Sequence, residues 1–310
     1  MIRKYLSLVK FSHTIFAMPF AMIGFILGIV NMPAASSRFS SDNQVAYLPD
    51  NALNLGWEFI FFKFMLVLLC MIFARSAAMG FNRWLDKHFD ARNPRTAVRE
   101  IPAGIISADN ALRFVILNSL AFVITTWFIN PLCFLLSFVA LFVVLFYSYT
   151  KRFTPLCHLI LGVGLALAPI GAYLAVTGVF TVLPLIFSLV VICWVSGFDI
   201  IYALQDLEFD RSQSLHSMPV WLGKKNALRV SEFLHLIATL LVISAGLYGH
   251  FHWLYWVGNL FFAGMLVYQH SIVKADDLSR VNLAFMTANG IASVAFAIFV
   301  IGDLILFTNW

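Results

Sequence analysis

Three side chains in the passage FNRWLDKHFDARNPRTAVREIPAG, residues 81–104, have the type and spacing that hold a hard cation: Asn82, Asp86 and Asp90. Steps of four residues, at about 3.6 residues per turn, put all three on one face of a helix. Two carboxylates at i and i+4 repel by roughly 0.2–0.5 kcal/mol, and a bound cation removes that conflict. A second set lies in GFDIIYALQDLEFDRSQSLHSMPVWLGKK, residues 197–225. There Asp199, Tyr202, Asp206 and Asp210 fall at i, i+3, i+7 and i+11, again one helical face, with Glu208 turned off it. Tyr202, Asp206 and Asp210 repeat the register of Asn82, Asp86 and Asp90 at a separation of 120 residues (202 against 82).

One such set alone fits a solvated helix end, since Arg83 and Lys87 each reach an aspartate at i+3. Two sets do not fit it as easily. Asp86, Asp90, Asp199, Asp206 and Asp210 are five of only 15 acidic residues, and all sit at the ends of long apolar runs. An ionisable group inside a membrane helix costs about 2.5–3.5 kcal/mol at its centre and tends to be functional. Carboxylates hold Mg²⁺, which takes oxygen ligands and completes its octahedron with water and substrate phosphates. Arg95, Arg99, Lys151 and Arg152 supply charge for the remaining phosphate oxygens. The expected substrate is a diphosphate, and a site at the mouth of an apolar bundle suits one with a long lipid tail.

The elements that position these groups are nine apolar runs near residues 14–31, 57–80, 111–129, 132–150, 156–176, 181–198, 230–249, 253–272 and 282–307. Each is long enough to cross a bilayer as a helix. The chain is 61% hydrophobic and 11% charged with mean hydropathy +0.89, which excludes an ordinary soluble protein and predicts an all-α, polytopic membrane protein, one domain over residues 1–310. Four crossings separate the acidic sets, so both reach the same membrane face. Of 20 Lys and Arg residues only Arg38 and Lys63 fall away from that face, which makes it cytoplasmic, with the N-terminus on the same side. The polar stretch 31–54 reads as an external loop. The basic start and MPAASS also fit a cleavable signal peptide, whose removal leaves eight spans. Cys70, Cys133, Cys157 and Cys193 lie in apolar runs without paired spacing and read as packing residues. The net charge of +5 suits loops beside anionic lipid and gives no reason to invoke nucleic acid.

Asn82-x3-Asp86-x3-Asp90 with the following NPRTAVREIPAG, YSYTKRFT at 147–154, and Asp199-x2-Tyr202-Ala203-x-Gln205-Asp206-x3-Asp210 together resemble the UbiA superfamily of intramembrane aromatic prenyltransferases, its 4-hydroxybenzoate polyprenyltransferase branch most closely. The resemblance spans the whole chain. It implies a bundle of nine transmembrane helices around a central cavity capped by two cytoplasmic acidic loops. By the same resemblance Asp86, Asp90, Asp206 and Asp210 would hold Mg²⁺ and the diphosphate, with Asn82 assisting the first site. Arg95, Arg99, Lys151, Arg152, Tyr147 and Lys10 would contact diphosphate or acceptor, and Asp199 and Tyr202 would lie near the reacting carbon. The implied reaction moves a polyprenyl group from its diphosphate to a ring carbon of an aromatic acid in quinone synthesis. The diphosphate ionises and the allylic cation attacks the ring, so no protein nucleophile is needed. No obligate protein partner is implied.

Departures from the family pattern bear on the acceptor. Ser7, Lys10 and Phe11 stand where 4-hydroxybenzoate enzymes often have Arg-x2-Lys-Pro, and His216 replaces a basic residue. With HTIFAMPF at 13–20, these changes resemble a sub-branch that prenylates a dihydroxynaphthoate for menaquinone, the second acceptor considered. An ion-coupled transporter would also place carboxylates in apolar helices, but near mid-membrane on broken helices rather than at helix ends on one face. His158, His235 and His270 show no matching ligands, and Asp303 reads as an interfacial carboxylate.

Overall fold

A computed structural model describes residues 2–9, 16–31 and 56–307. Lys10, Phe11, His13, Arg38 and the polar stretch 32–54, with most of the expected cleavage signal, lie outside them. Backbone groups in lipid must find partners within their own segment, which selects helices, and the regular structure of the described residues is all helical, with no strand among them. The helices are α1 (Ile2–Leu8), α2 (Met18–Val30), α3 (Trp57–Leu85), α4 (Lys87–Arg92), α5 (Ala108–Trp127) and α6 (Pro131–Thr150). They continue with α7 (Cys157–Thr177), α8 (Val182–Ala203), α9 (Leu207–Ser212), α10 (Met218–Tyr248), α11 (Trp253–Ile272) and α12 (Asn289–Phe307). A 3₁₀ turn, Leu204–Asp206, links α8 to α9, and a π-helical turn, Leu283–Ala288, leads into α12.

Every expected apolar run contains a helix, but the described residues hold seven helices long and apolar enough to span, not nine. The 13 residues of α2 make a shorter apolar helix. The 20 residues of α11 include Asn259, Gln269 and His270, which dilute its apolar character.

Local chemistry sets the helix starts. Asn130 caps α6 by accepting from the Cys133 N–H at 2.8 Å with Pro131 behind it, and Ser217 caps α10 by accepting from the Val220 N–H at 3.4 Å ahead of Pro219. Gly178, at φ +67°, ends α7 in the left-handed conformation that glycine adopts without penalty.

Packing follows small residues. A Cβ on Gly162 of α7 would lie 2.6 Å from Ser196 Oγ and 2.7 Å from the Ile192 carbonyl, so only glycine lets α7 and α8 approach this closely. Gly24 of α2 lies in the same way against the Pro169 backbone of α7. The core is aromatic: Phe20, Phe187, Trp194, Phe262 and Phe296 are fully buried and join α2, α8, α11 and α12. Phe138 and Phe142 on α6 and Leu117 and Leu120 on α5 are exposed, as expected of surface turned to lipid.

Both acidic sets sit at helix breaks of the same form. Helix α3 stops at Leu85, Asp86 adopts φ −90°, ψ 5°, and the six-residue α4 follows. Helix α8 gives way to the 3₁₀ turn, Asp206 adopts φ −101°, ψ 4°, and the six-residue α9 follows. The faint sequence repeat is therefore a structural one, with each aspartate in the bridge region between helical segments. Hydrogen bonds from the Asp86 N–H to the Asn82 carbonyl (3.0 Å) and from the Asp90 N–H to the Asp86 carbonyl (2.8 Å) carry the i→i−4 pattern through the first break.

Candidate active site

The two acidic breaks open onto a single cavity of about 630 Å³. Asn82, Asp86, Asp90, Arg95, Arg99, Tyr147, Lys151, Arg152, Asp199, Tyr202, Asp206 and Asp210 all line it, so every predicted site residue among the described ones meets in one place. Away from the charged end its wall is apolar, including Val67, Met71, Phe122, Leu136, Leu161, Leu165 and Phe180.

The charged end is a set of ion pairs. Each of four aspartates meets one of four cations: Asp86 with Arg152 at 2.8 Å, Asp90 with Arg99 at 2.6 Å, Asp210 with Lys151 at 2.7 Å, and Asp206 with Arg95. Three of these pairs join different segments. Arg95, in the loop after α4, holds Asp206 with both Nε and Nη2 while its Nη1 donates to the Tyr202 hydroxyl at 2.9 Å. Lys151 and Arg152 follow α6 and divide between the two motifs, one to Asp210 and the other to Asp86. Such charge-assisted, partly forked contacts fix geometry as well as charge. Asn82 Nδ2 donates to Asp86 Oδ2 at 3.1 Å, a contact that their shared helical face allows. Glu208 is exposed and pairs loosely with Arg211, off the acidic face as expected.

Burial tunes these charges. It pushes the Asp86 carboxyl above its ordinary value, against the opposing pull of Arg152. It works against the Lys151 ammonium and the Arg95 guanidinium, but Asp210 and Asp206 more than offset it and hold both cations above their usual values.

The donor set fits a hard cation: carboxylate oxygens and one amide, with no sulfur or imidazole among the predicted ligands. Asp90 Oδ2 is buried without a hydrogen-bond partner, an acceptor left over after Arg99 has taken Oδ1. Among the described residues no group of three or more His, Cys, Asp and Glu side chains is gathered to enclose a metal unaided. Mg²⁺ seldom uses such a cage, binding instead through one or two carboxylates plus water and substrate phosphates.

Three neighbours escaped the sequence reading, and a fourth, Arg83, was read there only as an ion-pair partner for an aspartate at i+3. Asn93 Nδ2 donates to Asp206 Oδ1 at 3.2 Å. Phe285, from the π-helical turn, stacks on Tyr202 at 4.1 Å between centroids. His158, read from the sequence only as lacking matching metal ligands, places its Nδ1 2.7 Å from Asp199 Oδ2. Arg83 is buried in the cavity wall one residue beyond Asn82. NPRT, beside the first motif, offered a sequence signal for Asn93, and Arg83 lies within that motif; Phe285 and His158 come from helices distant in the chain.

An all-helical membrane protein with acidic and basic residues ringing the mouth of an apolar cavity has room at one place for a polar head and a hydrophobic tail. The chain belongs to the UbiA prenyltransferase family, whose profile matches residues 51–297. It is 31% identical over 235 residues to 4-hydroxybenzoate octaprenyltransferase of Francisella tularensis subsp. tularensis (strain WY96-3418), covering 76% of this chain and 81% of that protein. The protein of that name from Tolumonas auensis is 29% identical over 243 residues, covering 76% and 82%. Among solved structures, a UbiA homolog from Aeropyrum pernix K1 superposes with TM-score 0.73 and 27% identity over 95% of this chain and 97% of that one. A UbiA homolog from Archaeoglobus fulgidus, solved bound to DMAPP and Mg²⁺, shares the fold with TM-score 0.72 at 20% identity over 98% of this chain and 100% of that one. The protein is thus an integral membrane prenyltransferase, and the transporter reading falls away.

Proposed function

We propose that this enzyme transfers a polyprenyl group from a polyprenyl diphosphate to a ring carbon of a 4-hydroxybenzoate-type aromatic acid, in quinone synthesis. The observation that carries the reading is the single cavity, with four aspartates and four cations at one end and apolar walls beyond. The names of the relatives from Francisella and Tolumonas support the acceptor class. Asp86, Asp90, Asp206 and Asp210 would hold Mg²⁺, which when bound supplies positive charge to a departing diphosphate. Arg95, Arg99, Lys151 and Arg152 turn from their aspartates to the phosphate oxygens. Asn82 orients Asp86, Tyr202 anchors Arg95 through its hydroxyl, and Tyr147 and Asp199 face the chamber where donor carbon and ring meet. The apolar walls exclude water from the allylic cation, and aromatic faces such as Phe285 stabilise it by about 0.5–2 kcal/mol each.

All nine apolar helices cross the bilayer in this reading. The mouth faces the cytoplasm of a bacterial-type inner membrane with the N-terminus on the same side, as the distribution of Lys and Arg favours. The test uses purified protein in lipid nanodiscs with Mg²⁺, a polyprenyl diphosphate and either 4-hydroxybenzoate or a dihydroxynaphthoate. The expected result is diphosphate release and a prenylated 4-hydroxybenzoate identified by mass. Product from dihydroxynaphthoate alone replaces the acceptor, and product from neither refutes the reading.

A further inference from the structure

His158 stands in the first turn of α7 with its ring buried, 3% exposed. Its Nδ1 lies 2.7 Å from Asp199 Oδ2 on α8, and its Nε2 lies 3.3 Å from the backbone N of Met218 at the start of α10. A backbone N–H can only donate, so Nε2 must accept, and the ring proton of the neutral imidazole sits on Nδ1, where it donates to the carboxylate. The close packing at Gly162, one turn further along α7, and the hydrogen bond from Ser196 Oγ to the His158 carbonyl at 3.1 Å hold the ring at this distance from α8. One side chain therefore ties together three helices around one wall of the cavity.

Asp199 is seven residues before Asp206, about 10 Å deeper along the helix axis, and its side chain is 22% exposed. The cavity that it lines also includes the apolar side chains of Phe16, Leu161, Leu165 and Phe198. The hydrogen bond that fixes its rotamer is the one from His158. We propose that His158, as the Nδ1–H tautomer, is a positioning residue that locks the Asp199 carboxylate toward the acceptor chamber, leaving its second oxygen to accept a hydrogen bond from a ring hydroxyl. This rests on the proposed function, since it takes a hydroxylated aromatic acid as acceptor. With Nε2 occupied by Met218, His158 has no route to relay a proton, so its contribution is orientation.

Two amides separate this role from packing. In His158→Asn the side-chain NH₂ falls where Nδ1–H stands; in His158→Gln it falls where Nε2 stands. With 4-hydroxybenzoate and a polyprenyl diphosphate, His158→Asn is expected to stay near wild-type turnover. His158→Gln is expected to lose about 10–100-fold, the range for a residue that orients a functional ligand, with KM for the diphosphate unchanged in both. Equal losses in the two variants, or a raised KM for the diphosphate, overturn the positioning role. Nitrogen NMR of the full-length wild-type protein labelled in histidine gives a readout that needs neither variant to fold: a protonated Nδ1 and bare Nε2 on His158 support the proposal, and a bare Nδ1 overturns it. Failure of the wild-type enzyme to prenylate any aromatic acid refutes the proposed function and the acceptor role with it. Transfer by the wild type together with a bare Nδ1 refutes the positioning role alone.

Discussion

Replacing Asp206 with asparagine separates the chemistry of the site from its architecture. Asp206 accepts from Arg95 and Asn93, and asparagine keeps an oxygen for one of these contacts while removing the negative charge. The Arg95–Asp206 pair is partly exposed, with side-chain exposures of 33% and 14%. Its loss should therefore cost stability by only about 1 kcal/mol, and Asp206→Asn should insert and melt almost as wild type. Catalysis is another matter. If Asp206 is one of the carboxylates through which Mg²⁺ reaches the diphosphate, removing its charge forfeits transition-state stabilisation of the size lost with one preorganised electrostatic group, about 10²–10³-fold in turnover or ~2.7–4 kcal/mol. The assay is Mg²⁺-dependent release of diphosphate from a polyprenyl diphosphate in nanodiscs, titrated with Mg²⁺ for wild type and variant beside a thermal melt. A variant that folds, loses at least about 100-fold in turnover and needs more Mg²⁺ supports the assignment. Full activity, or a loss accompanied by collapse of the melt, refutes the reasoning.

Chelation with EDTA should abolish diphosphate release and added Mg²⁺ restore it; activity that persists in chelator removes the metal from the mechanism. A non-hydrolysable polyprenyl diphosphate analogue with Mg²⁺ at about 100 times its Kd should stabilise the fold by about 2.7 kcal/mol, read as a raised melting temperature that the analogue without Mg²⁺ does not produce. Gly162→Val drives a side chain into Ser196 Oγ and the Ile192 carbonyl, and such overpacking should cost about 1–3 kcal/mol; an unchanged melt contradicts the close α7–α8 contact. Asp303 is 2% exposed and accepts from the backbone N–H of His252 at 2.9 Å and of Tyr255 at 3.1 Å. Asp303→Ala should therefore cost about 1 kcal/mol or more of stability while leaving the KM for diphosphate alone, and a shifted KM argues against a purely capping role.

The acidic residues were legible because their information is local. The spacing of Asn82, Asp86 and Asp90 encodes a shared helical face, and matching registers 120 residues apart encode a shared membrane side. The ion pairs were not legible: nothing in the sequence divides Lys151 and Arg152 between the two motifs or sends Arg95 to Asp206, because these partners lie 59, 66 and 111 residues apart. At Asp303 the sequence showed only a carboxylate near a span end. Its capping of α11 from inside the bundle depends on how α11 and α12 pack. His158 shows the same limit, since its partners come from α8 and α10. Run length located all nine apolar helices, but not that α2 has only 13 residues or that α11 carries three polar side chains, so seven of the nine meet the length and composition of a span.

The direction in which the helices arrive has a consequence for how anions can be held. Helices α3, α6 and α8 all deliver their C-terminal ends to the charged mouth, and a helix C-terminus bears partial negative charge from its unpaired carbonyls. Many phosphate sites work the other way, drawing the anion onto helix N-termini with backbone N–H groups. The dipoles of these three helices oppose an anionic head group, although α7 brings its N-terminal turn, Cys157 and His158, to the same cavity, so such binding would draw on cations and on long basic side chains that bridge from neighbouring segments. Under the proposed function, a pocket organised in this manner would grip its ligand by charges that can be exchanged, and would let go when they return to their own carboxylates.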